Sequence, residues 1–371
     1  SDTFRISMSV QPQERPSASI WDDLTLVTFM SNGLQAVRLD AQGNPIDTSP
    51  LLIDGSKAIH DYAVGFTGNA WIVAWSDYQP GTSRPRLKLR RILRDGSMAE
   101  DSPIDLGSGY NPVFFCTNGS KSLLLFIGRK GEEILPLDAD GLPLPAQSRP
   151  LNTLNDVSIG TNGHEFLVAL VDGSADWDYP APNLRDVNFM RLNADGAPMD
   201  ASPIPVANSR MDETFPRVTS DGRDFFVFFM RSGGPFVSSS DEICARKVTR
   251  EGFLDGVVAG DESASSLIKD RPLQQQFAVA RDAGHFVLVW QQFSLTVPYS
   301  NDQYLAATDG SSLLEPPQAL ADGVQPAFAI AEGSGRKVLT YSRLVPELGD
   351  VPRVFTRTIG VPLTKRHVTR P

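Results

Sequence analysis

Seven residues, one after each of seven strongly apolar segments, are the first candidates for chemistry in this sequence. In chain order they are Ser31, Asp77, Arg129, Asp172, Arg231, Gln292 and Arg343. The forked donors of a guanidinium match the oxygens of a carboxylate, sulfate or phosphate. If these positions meet at one opening, Arg129, Arg231 and Arg343 would bind an anionic ligand there, with Asp77 and Gln292 as further contacts. The alternative is that each arginine pairs with a neighbouring carboxylate, such as Asp241 or Asp350, and holds its own loop.

An aromatic and acidic stretch at 176–180 is the second candidate. It places two aromatic rings and two carboxylates where no apolar pattern surrounds them. Exposed Trp and Tyr rings offer flat apolar surfaces to sugar rings or peptide side chains at low entropic cost. Trp177, Asp178 and Tyr179 are therefore candidate ligand contacts, unless Trp177 folds back and covers its own loop. Two further candidate ligand contacts on comparable connections are Arg210 and Tyr299.

Enzymatic chemistry at the same opening could take two forms. A polysaccharide lyase neutralises a uronate carboxylate, a role suited to Arg129, and removes the α-proton with a base. The candidates for that base are His60, Tyr62 and Tyr78. A two-carboxylate glycoside hydrolase needs two acids at a fixed separation across the scissile bond. The acids available for that role are Asp77, Asp176, Asp178, Asp212 and Glu213.

Metal and cofactor chemistry is not indicated by the residue types. The four histidines are scattered, unlike the ligands of a multi-histidine metal site. The two cysteines, Cys116 and Cys244, exclude a disulfide scaffold and a cysteine-rich zinc site. The sequence contains no Gly-x-Ser-x-Gly nucleophile motif. We expect no metal and no cofactor.

The composition excludes several classes of protein. Of the 371 residues, 41% are hydrophobic and 21% charged, which favours a sizeable core over general disorder. The 34 basic and 44 acidic residues give a net charge of −10, which argues against a nucleic-acid binder that works by bulk charge. No apolar run approaches the roughly 18 residues of a membrane span, so we expect no membrane insertion.

The elements that must position the candidate residues form a repeat. An apolar, β-branched and aromatic run recurs with starts at residues 24, 71, 122, 166, 225, 286 and 337. Each run is too short for a helix and is typical of a strand buried on both faces. A small-residue strand precedes each run and further strands follow, joined by Asn-Gly or Asp-Gly turns. Four antiparallel strands in each of seven units predict an all-β fold, a seven-bladed β-propeller.

We expect one domain over residues 1–371, closed by its N-terminal segment. The expected blades span about 11–57, 58–108, 109–154, 155–211, 212–271, 272–323 and 324–371, with 1–10 completing the last. The segment Arg5–Val10 is typical of the missing fourth strand, the alternative donor being Lys365–Thr369. Two β-sandwiches end to end would also contain short strands, but they predict no fixed order within each unit. The pattern resembles bacterial propeller repeats over nearly the whole chain, which is a resemblance of architecture and not of one family.

Loop lengths indicate which face of the ring is functional. The connections from second to third strands are long and variable, as at 172–186 and 291–303, whereas most other turns are tight. Loops held by a rigid scaffold commonly carry recognition. We expect a monomeric protein that binds an anionic glycan or peptide on this face. The alternatives are a carbohydrate-active enzyme on the same face, either lyase or hydrolase, and a protein-interaction scaffold; some polysaccharide lyases share this architecture.

The beginning of the sequence bears on localisation. The chain opens with Ser1-Asp2 and contains no basic and apolar leader. We expect a secreted or cell-envelope protein whose signal peptide has been removed, with a cytoplasmic protein as the alternative.

Overall fold

A computed structural model describes residues 4–5, 12–78, 85–128, 131–144, 148–151, 156–172, 185–207, 209, 211–232, 241–252, 254, 265–271, 273–282, 284–293, 301–321, 324–333, 335–345 and 351–359. These residues form 28 strands, all antiparallel to their neighbours, in seven four-stranded sheets. The described part of the chain contains no helix long and apolar enough to cross a membrane. The predicted all-β architecture of seven four-stranded blades is confirmed.

The sheets follow the chain, and we number the blades in that order. Blade one has β2 (Glu14–Trp21), β3 (Leu24–Ser31), β4 (Gly33–Leu39) and β5 (Leu51–Asp54). Blade two has β6 (Ile59–Phe66), β7 (Trp71–Asp77), β8 (Arg86–Ile92) and β9 (Ile104–Ser108). Blade three has β10 (Tyr110–Thr117), β11 (Ser122–Gly128), β12 (Gly131–Leu137) and β13 (Arg149–Pro150).

The remaining blades keep the same order. Blade four has β14 (Val157–Thr161), β15 (Phe166–Asp172), β16 (Asp186–Leu192) and β17 (Ile204–Pro205). Blade five has β18 (Asp212–Ser220), β19 (Phe225–Ser232), β20 (Asp241–Val248) and β21 (Ser265–Arg271). Blade six has β22 (Leu273–Asp282), β23 (His285–Phe293), β24 (Asn301–Thr308) and β25 (Gln318–Ala321). Blade seven has β26 (Val324–Gly333), β27 (Arg336–Val345), β28 (Val351–Ile359) and, from the N-terminus, β1 (Phe4–Arg5).

The first strands of the seven blades form the inner wall of the ring. Each of them contacts the first strands of both neighbouring blades, including β2 with β26 across the closure. Small residues permit this crowding, as predicted. A Cβ on Gly65 of β6 would lie 1.7 Å from the Phe115 ring of the next blade, so glycine is required for that approach.

The core lies between adjacent blades. The second strands are the most deeply buried, and β7 is buried at every residue. One apolar cluster packs Phe189 of blade four against Phe225 and Phe229 of blade five. Another packs Leu26 of blade one against Trp71 of blade two. Because each second strand packs against both neighbouring blades, its polar positions are few.

The ring is closed by the N-terminal segment, as predicted, although the pairing strand is Phe4–Arg5 and residues 6–10 of the predicted strand Arg5–Val10 lie outside the described residues. In β1, Phe4 pairs with Thr356 and Arg5 with Phe355 of β28. Buried Gln13 adds a second connection, because its backbone N–H donates to the Pro352 carbonyl at 3.0 Å. The alternative donor strand at 365–369 lies outside the described residues.

The connections give the ring two different faces. Turns from first to second and from third to fourth strands emerge on one side, which we call the tight-turn face. Connections from second to third strands, and from each fourth strand to the next blade, emerge on the other side, the long-loop face. Blades one and three have short second-to-third connections, at Asn32 and at 129–130. In the other five blades most of these residues lie outside the described ranges.

A repeated ion-pair clamp joins blades on the tight-turn face. In three blades an arginine near the end of the third strand pairs with an acidic residue nine positions later in the following hairpin. The pairs are Arg38 with Asp47 at 2.5 Å, Arg91 with Glu100, and Arg191 with Asp200 at 2.6 Å. Their Nη1 groups donate to the next blade, to the carbonyls of Arg94, Asp140 and Arg250 at 2.7, 2.9 and 3.1 Å respectively.

Candidate functional site

Several residues predicted to bind ligand lie on connections that the structure does not describe. They are Arg129, Trp177, Asp178, Tyr179, Arg210 and Tyr299. For His60 the backbone is described as part of β6, but its side chain lies outside the described set. The predictions made for these seven side chains therefore stay predictions.

Asp77 ends β7 at the long-loop face, where it is buried in a hydrogen-bonded ion pair. Its carboxylate accepts from Lys88 Nζ at 2.6 Å and from Ser56 Oγ at 2.7 Å. Burial by itself would raise the pKa of Asp77, but the hydrogen bonds from Lys88 and Ser56 outweigh it and hold the pKa below its ordinary value. The side chain thus joins β7 and β8 to the connection after blade one.

Arg231, at the corresponding end of β19, is also committed to a partner. Its Nη2 lies 2.7 Å from Glu242 Oε2, and its side chain is buried. The partner is the residue directly opposite on β20. Of the two interpretations of this arginine, the geometry fits the pairing with a nearby carboxylate, although with Glu242 and not with Asp241.

The other described candidates at strand ends are less buried. The Arg343 guanidinium lies over the Phe355 ring, with Cζ 4.5 Å from the centroid, a cation–π contact. Gln292 is half-buried at the end of β23. Tyr78 is 39% exposed, and its backbone N–H donates to the Ala58 carbonyl at 3.2 Å. Arg343, Gln292 and Tyr78 therefore lie on the long-loop face with part of each side chain exposed.

Tyr62 lies inside a contact between blades one and two. Its hydroxyl is hydrogen-bonded to the backbone carbonyls of Arg15 and, at 3.0 Å, of Thr28. Burial raises the pKa of Tyr62 well above its ordinary value, with a smaller opposing effect from the Thr28 hydrogen bond. The geometry suits a structural contact and gives no support to the proton-abstracting role predicted for Tyr62.

A carboxyl group with unusual properties lies beside Arg231. Glu213 is the second residue of β18, is fully buried, and its Oε2 has no hydrogen-bond partner among the described residues. Its Oε1 accepts from the Ser209 backbone N–H at 3.2 Å. Burial raises the pKa of Glu213 to about 7; the negative charge of Asp186 adds to the rise, while the Ser209 hydrogen bond and Arg231 oppose it.

The neighbours of Glu213 form a mixed group of charges between blades four and five. Asp172 and Asp186 face each other across β15 and β16. Burial raises the pKa of Asp186, and the charges of Asp172 and Asp212 raise it further. Asp212 is paired with Arg185, whose Nε lies 3.1 Å from each carboxylate oxygen. The described residues include no group of three or more His, Cys, Asp or Glu side chains placed to hold a metal ion.

The central tunnel contains a cation that the sequence pattern did not single out. A cavity of about 660 Å³ is lined by the first strands of all seven blades. Arg217 of blade five extends into it, with Cζ 5.4 Å from the Phe114 ring of blade three and 5.7 Å from the Phe277 ring of blade six. Since those rings belong to non-adjacent blades, the guanidinium must lie across the tunnel.

Arg217 has few polar partners in the described structure. Its Nη1 donates to the Pro216 carbonyl at 2.8 Å, and it forms no salt bridge with any described residue. Burial lowers the pKa of the Arg217 guanidinium, with a small opposing effect from Asp156, but an arginine stays charged under such conditions. No signal in the sequence identified it, because other first strands also contain arginines, as at Arg15 and Arg281.

Comparisons with known proteins show the fold and nothing finer. No family model and no curated protein matches the chain. Among solved structures, the β-propeller domain of the Trilobed protease from Pyrococcus furiosus is similar over 94% of this chain and 97% of that one, with a TM-score of 0.52 and 10% identity. The acylaminoacyl peptidase of Pyrococcus horikoshii matches with a TM-score of 0.52 and 10% identity over 93% of this chain, which spans 51% of that one. The phage phi92 endosialidase matches over 100% of this chain and 71% of its own, with a TM-score of 0.50 and 10% identity.

Proposed function

We propose that this protein is a ligand-binding propeller that takes an anionic segment of a glycan or a peptide into its central tunnel from the long-loop face. The observation that carries the proposal is Arg217, whose guanidinium stands in the cavity of about 660 Å³. A cavity of about 300–1,000 Å³ lined by aromatic rings with a few polar groups is typical of a ligand site. In partly desolvated surroundings the charge of Arg217 is weakly screened and attracts an anion.

The distribution of charge along the tunnel favours one direction of access. The two acidic residues that line the cavity, Asp22 and Glu332, both belong to the tight-turn end. Glu332 accepts a hydrogen bond there from the Arg281 backbone N–H. These lining carboxylates repel an anion, whereas Asp156, the acidic residue that acts on Arg217 from the long-loop end, does not line the cavity. The long-loop end is therefore the favourable side from which to reach Arg217.

In this proposal the main ligand-binding cation is Arg217 inside the tunnel, whereas the sequence predicted arginines at the rim of the ring. Arg231 is neutralised by Glu242, and Arg343 is stacked on Phe355. Arg343 remains a rim contact in this proposal, as do the aromatic side chains predicted at 176–180. Arg217 supplies the charge that a ligand meets after it has passed the rim.

A binding panel tests the proposal. Isothermal titration calorimetry would compare trigalacturonate, an acidic tripeptide and neutral maltotriose on the wild-type protein, Arg217→Gln and Arg223→Gln. Arg223→Gln is the matched control because this arginine belongs to the same blade and its side chain is 77% exposed. We expect at least one anionic ligand to bind to the wild-type protein and equally to Arg223→Gln. The same ligand should bind at least tenfold more weakly to Arg217→Gln. Equal binding to all three proteins, or no binding of any anionic ligand, would contradict the proposal.

A second candidate function rests on Glu213. A buried carboxyl with a pKa of about 7 and one unpartnered oxygen has the properties of a general acid in glycoside hydrolysis. The test is release of reducing sugar from a panel of oligosaccharides, with Glu213→Gln as the variant. Hydrolysis that survives in Glu213→Gln, or that is absent from the wild-type protein, would remove this candidate.

A further inference from the structure

The two aromatic neighbours of Arg217 restrict how its guanidinium can be used. Phe114 and Phe277 lie within cation–π distance, at 5.4 and 5.7 Å from Cζ. One N–H, on Nη1, is bound to the Pro216 carbonyl. A guanidinium carries five N–H donors in one plane. The other four N–H groups, which point outward in the plane of the group, donate to no described residue and can bind a ligand.

A planar carboxylate fits this arrangement better than a bulky anion. Two parallel N–H···O bonds in the guanidinium plane satisfy both oxygens of a carboxylate without displacing the rings. A charge held away from water is costly unless an opposite charge accompanies it. Within the described residues no carboxylate forms a salt bridge with Arg217, so a ligand carboxylate would supply that charge.

The wall around Arg217 favours a peptide over a glycan. Every first strand lies at the end of its sheet and has a partner strand on one side only. Its other edge therefore presents backbone N–H and C=O groups to its surroundings. Beside Arg217, one such group, the Val218 N–H, donates to Ser158 Oγ of the neighbouring blade at 3.2 Å. An extended peptide has matching backbone groups and can pair with such edges, as in strand addition.

The size of the lining residues supports the same ligand. Small residues such as Ser17, Ala18, Ala278 and Ala329 line part of the tunnel, between larger aromatic side chains that include Phe114 and Phe277. The small residues leave room beside the rings for an extended backbone. A peptide backbone carries a carboxylate at one end, its C-terminus. A peptide that enters the tunnel with this end first would bring that carboxylate to the cation inside.

We propose that the tunnel binds the free C-terminus of an extended peptide segment, with the terminal carboxylate held in the plane of Arg217 between Phe114 and Phe277. This inference rests on the proposed function, because it names the ligand of the same cavity. The rim of the long-loop face admits the segment, and Arg217 recognises its end. The partner is thus a protein or peptide with an accessible C-terminus.

The experiment compares a peptide with its amide. The probes are trialanine with a free carboxylate, trialanine C-terminal amide, trigalacturonate and neutral maltotriose, titrated into protein labelled with ¹⁵N at arginine Nε. The proteins are wild type, Arg217→Gln, Arg217→Lys and Arg223→Gln. Arg217→Lys keeps the positive charge and removes the paired coplanar N–H donors of the guanidinium. It therefore tests carboxylate recognition even if Arg217→Gln folds poorly.

The expected result has three parts. Free-acid trialanine shifts the Arg217 Nε resonance and binds at least tenfold more tightly than the amide. Arg217→Lys reduces this discrimination at least threefold, while Arg223→Gln leaves it unchanged. Trigalacturonate binds more weakly than free-acid trialanine, and maltotriose does not shift the resonance.

The contrary results separate this inference from the proposed function. If acid and amide bind equally in the tunnel, or if trigalacturonate binds more tightly than the peptide, the C-terminal inference is wrong while ligand binding in the tunnel stands. If no probe shifts the Arg217 resonance in a folded protein, both the inference and the proposed function are wrong.

Discussion

Arginine side chains in this propeller differ in chemistry because their surroundings differ. Arg231 is buried against Glu242 at 2.7 Å, so its charge is neutralised within the protein. Arg343 lies over an aromatic ring at the rim. Arg217 lies in the tunnel between two rings without a carboxylate partner among the described residues. Of the three, Arg217 is the one whose charge a ligand can best complement.

The buried carboxyl of Glu213 predicts an unusual dependence of stability on pH. Its folded pKa is raised from 4.5 to about 7, so between these values the folded protein binds more protons than the unfolded chain. By linkage, the free energy of unfolding falls as pH rises through this range and is level above it. The raised pKa corresponds to a loss of about 3 kcal/mol. Glu213→Gln cannot ionise and should remove this loss.

Urea unfolding at pH 5 and pH 8 measures the effect. We expect wild type to lose stability between these pH values relative to Glu213→Gln, which should be the more stable protein at pH 8. Glu251→Gln, an exposed substitution in the same blade, should follow wild type. A Glu213→Gln protein with the same pH dependence as wild type would show that this carboxyl does not titrate as described.

At the residue scale, the sequence predicted where the candidate side chains lie better than it predicted which residues they contact. The ends of the second strands were predicted to lie at one face, and Asp77, Arg231 and Arg343 do lie within the last three residues of their strands there. Their partners could not be predicted, because an ion pair such as Asp77 with Lys88 depends on side-chain reach across two strands. Arg217 was overlooked since its role arises from rings on two other blades, blades three and six.

At the scale of strands and turns, the clamps predict a shared loss of stability. Arg191 donates to Asp200 and to the Arg250 carbonyl of the next blade. Hydrogen bonds to a charged group contribute about 1.5–3 kcal/mol. Arg191→Gln should therefore lower the free energy of unfolding by about 2 kcal/mol in urea titration, and Asp200→Asn by a similar amount. The double variant should lose less free energy of unfolding than the two single variants lose together, because both substitutions remove the same interaction.

Arg223→Gln serves as the control for the clamp as well, because it removes an exposed arginine and should change stability little. Additive losses in the double variant would mean that Arg191 and Asp200 act separately.

The spacing of nine residues that marks these clamps was present in the sequence, but its meaning requires the hairpin that brings the two residues together. Strand order and the turns were predictable from local pattern, whereas contacts between blades were not.

Closure is the prediction that belongs to the whole molecule. β1 pairs with β28 at two residues, and no other strand among the described residues covers the outer edge of blade seven. Removal of residues 1–5 should lower the Tm by about 2–4 °C and increase association in analytical ultracentrifugation. Removal of residues 367–371 is the matched truncation and should leave both properties unchanged. An unaltered Tm after the N-terminal truncation would show that β1 does not contribute to closing the ring.

The ring itself could be predicted from the sequence because each blade repeats one burial pattern. First strands that contain small residues and apolar second strands recur seven times, and packing between blades requires both. N-terminal closure followed from the missing fourth strand of the last unit. The tunnel site could not be predicted, since it exists only where seven inner strands meet and Arg217 reaches across them.

The most direct test of the ligand site is anomalous diffraction from crystals soaked in 4-bromobenzoate, whose carboxylate is planar and whose bromine marks its position. We expect a bromine peak in the central tunnel, with the carboxylate within hydrogen-bonding distance of the Arg217 guanidinium, and no such peak in Arg217→Gln crystals. A tunnel without bromine in wild-type crystals, or an unchanged peak in the variant, would contradict it.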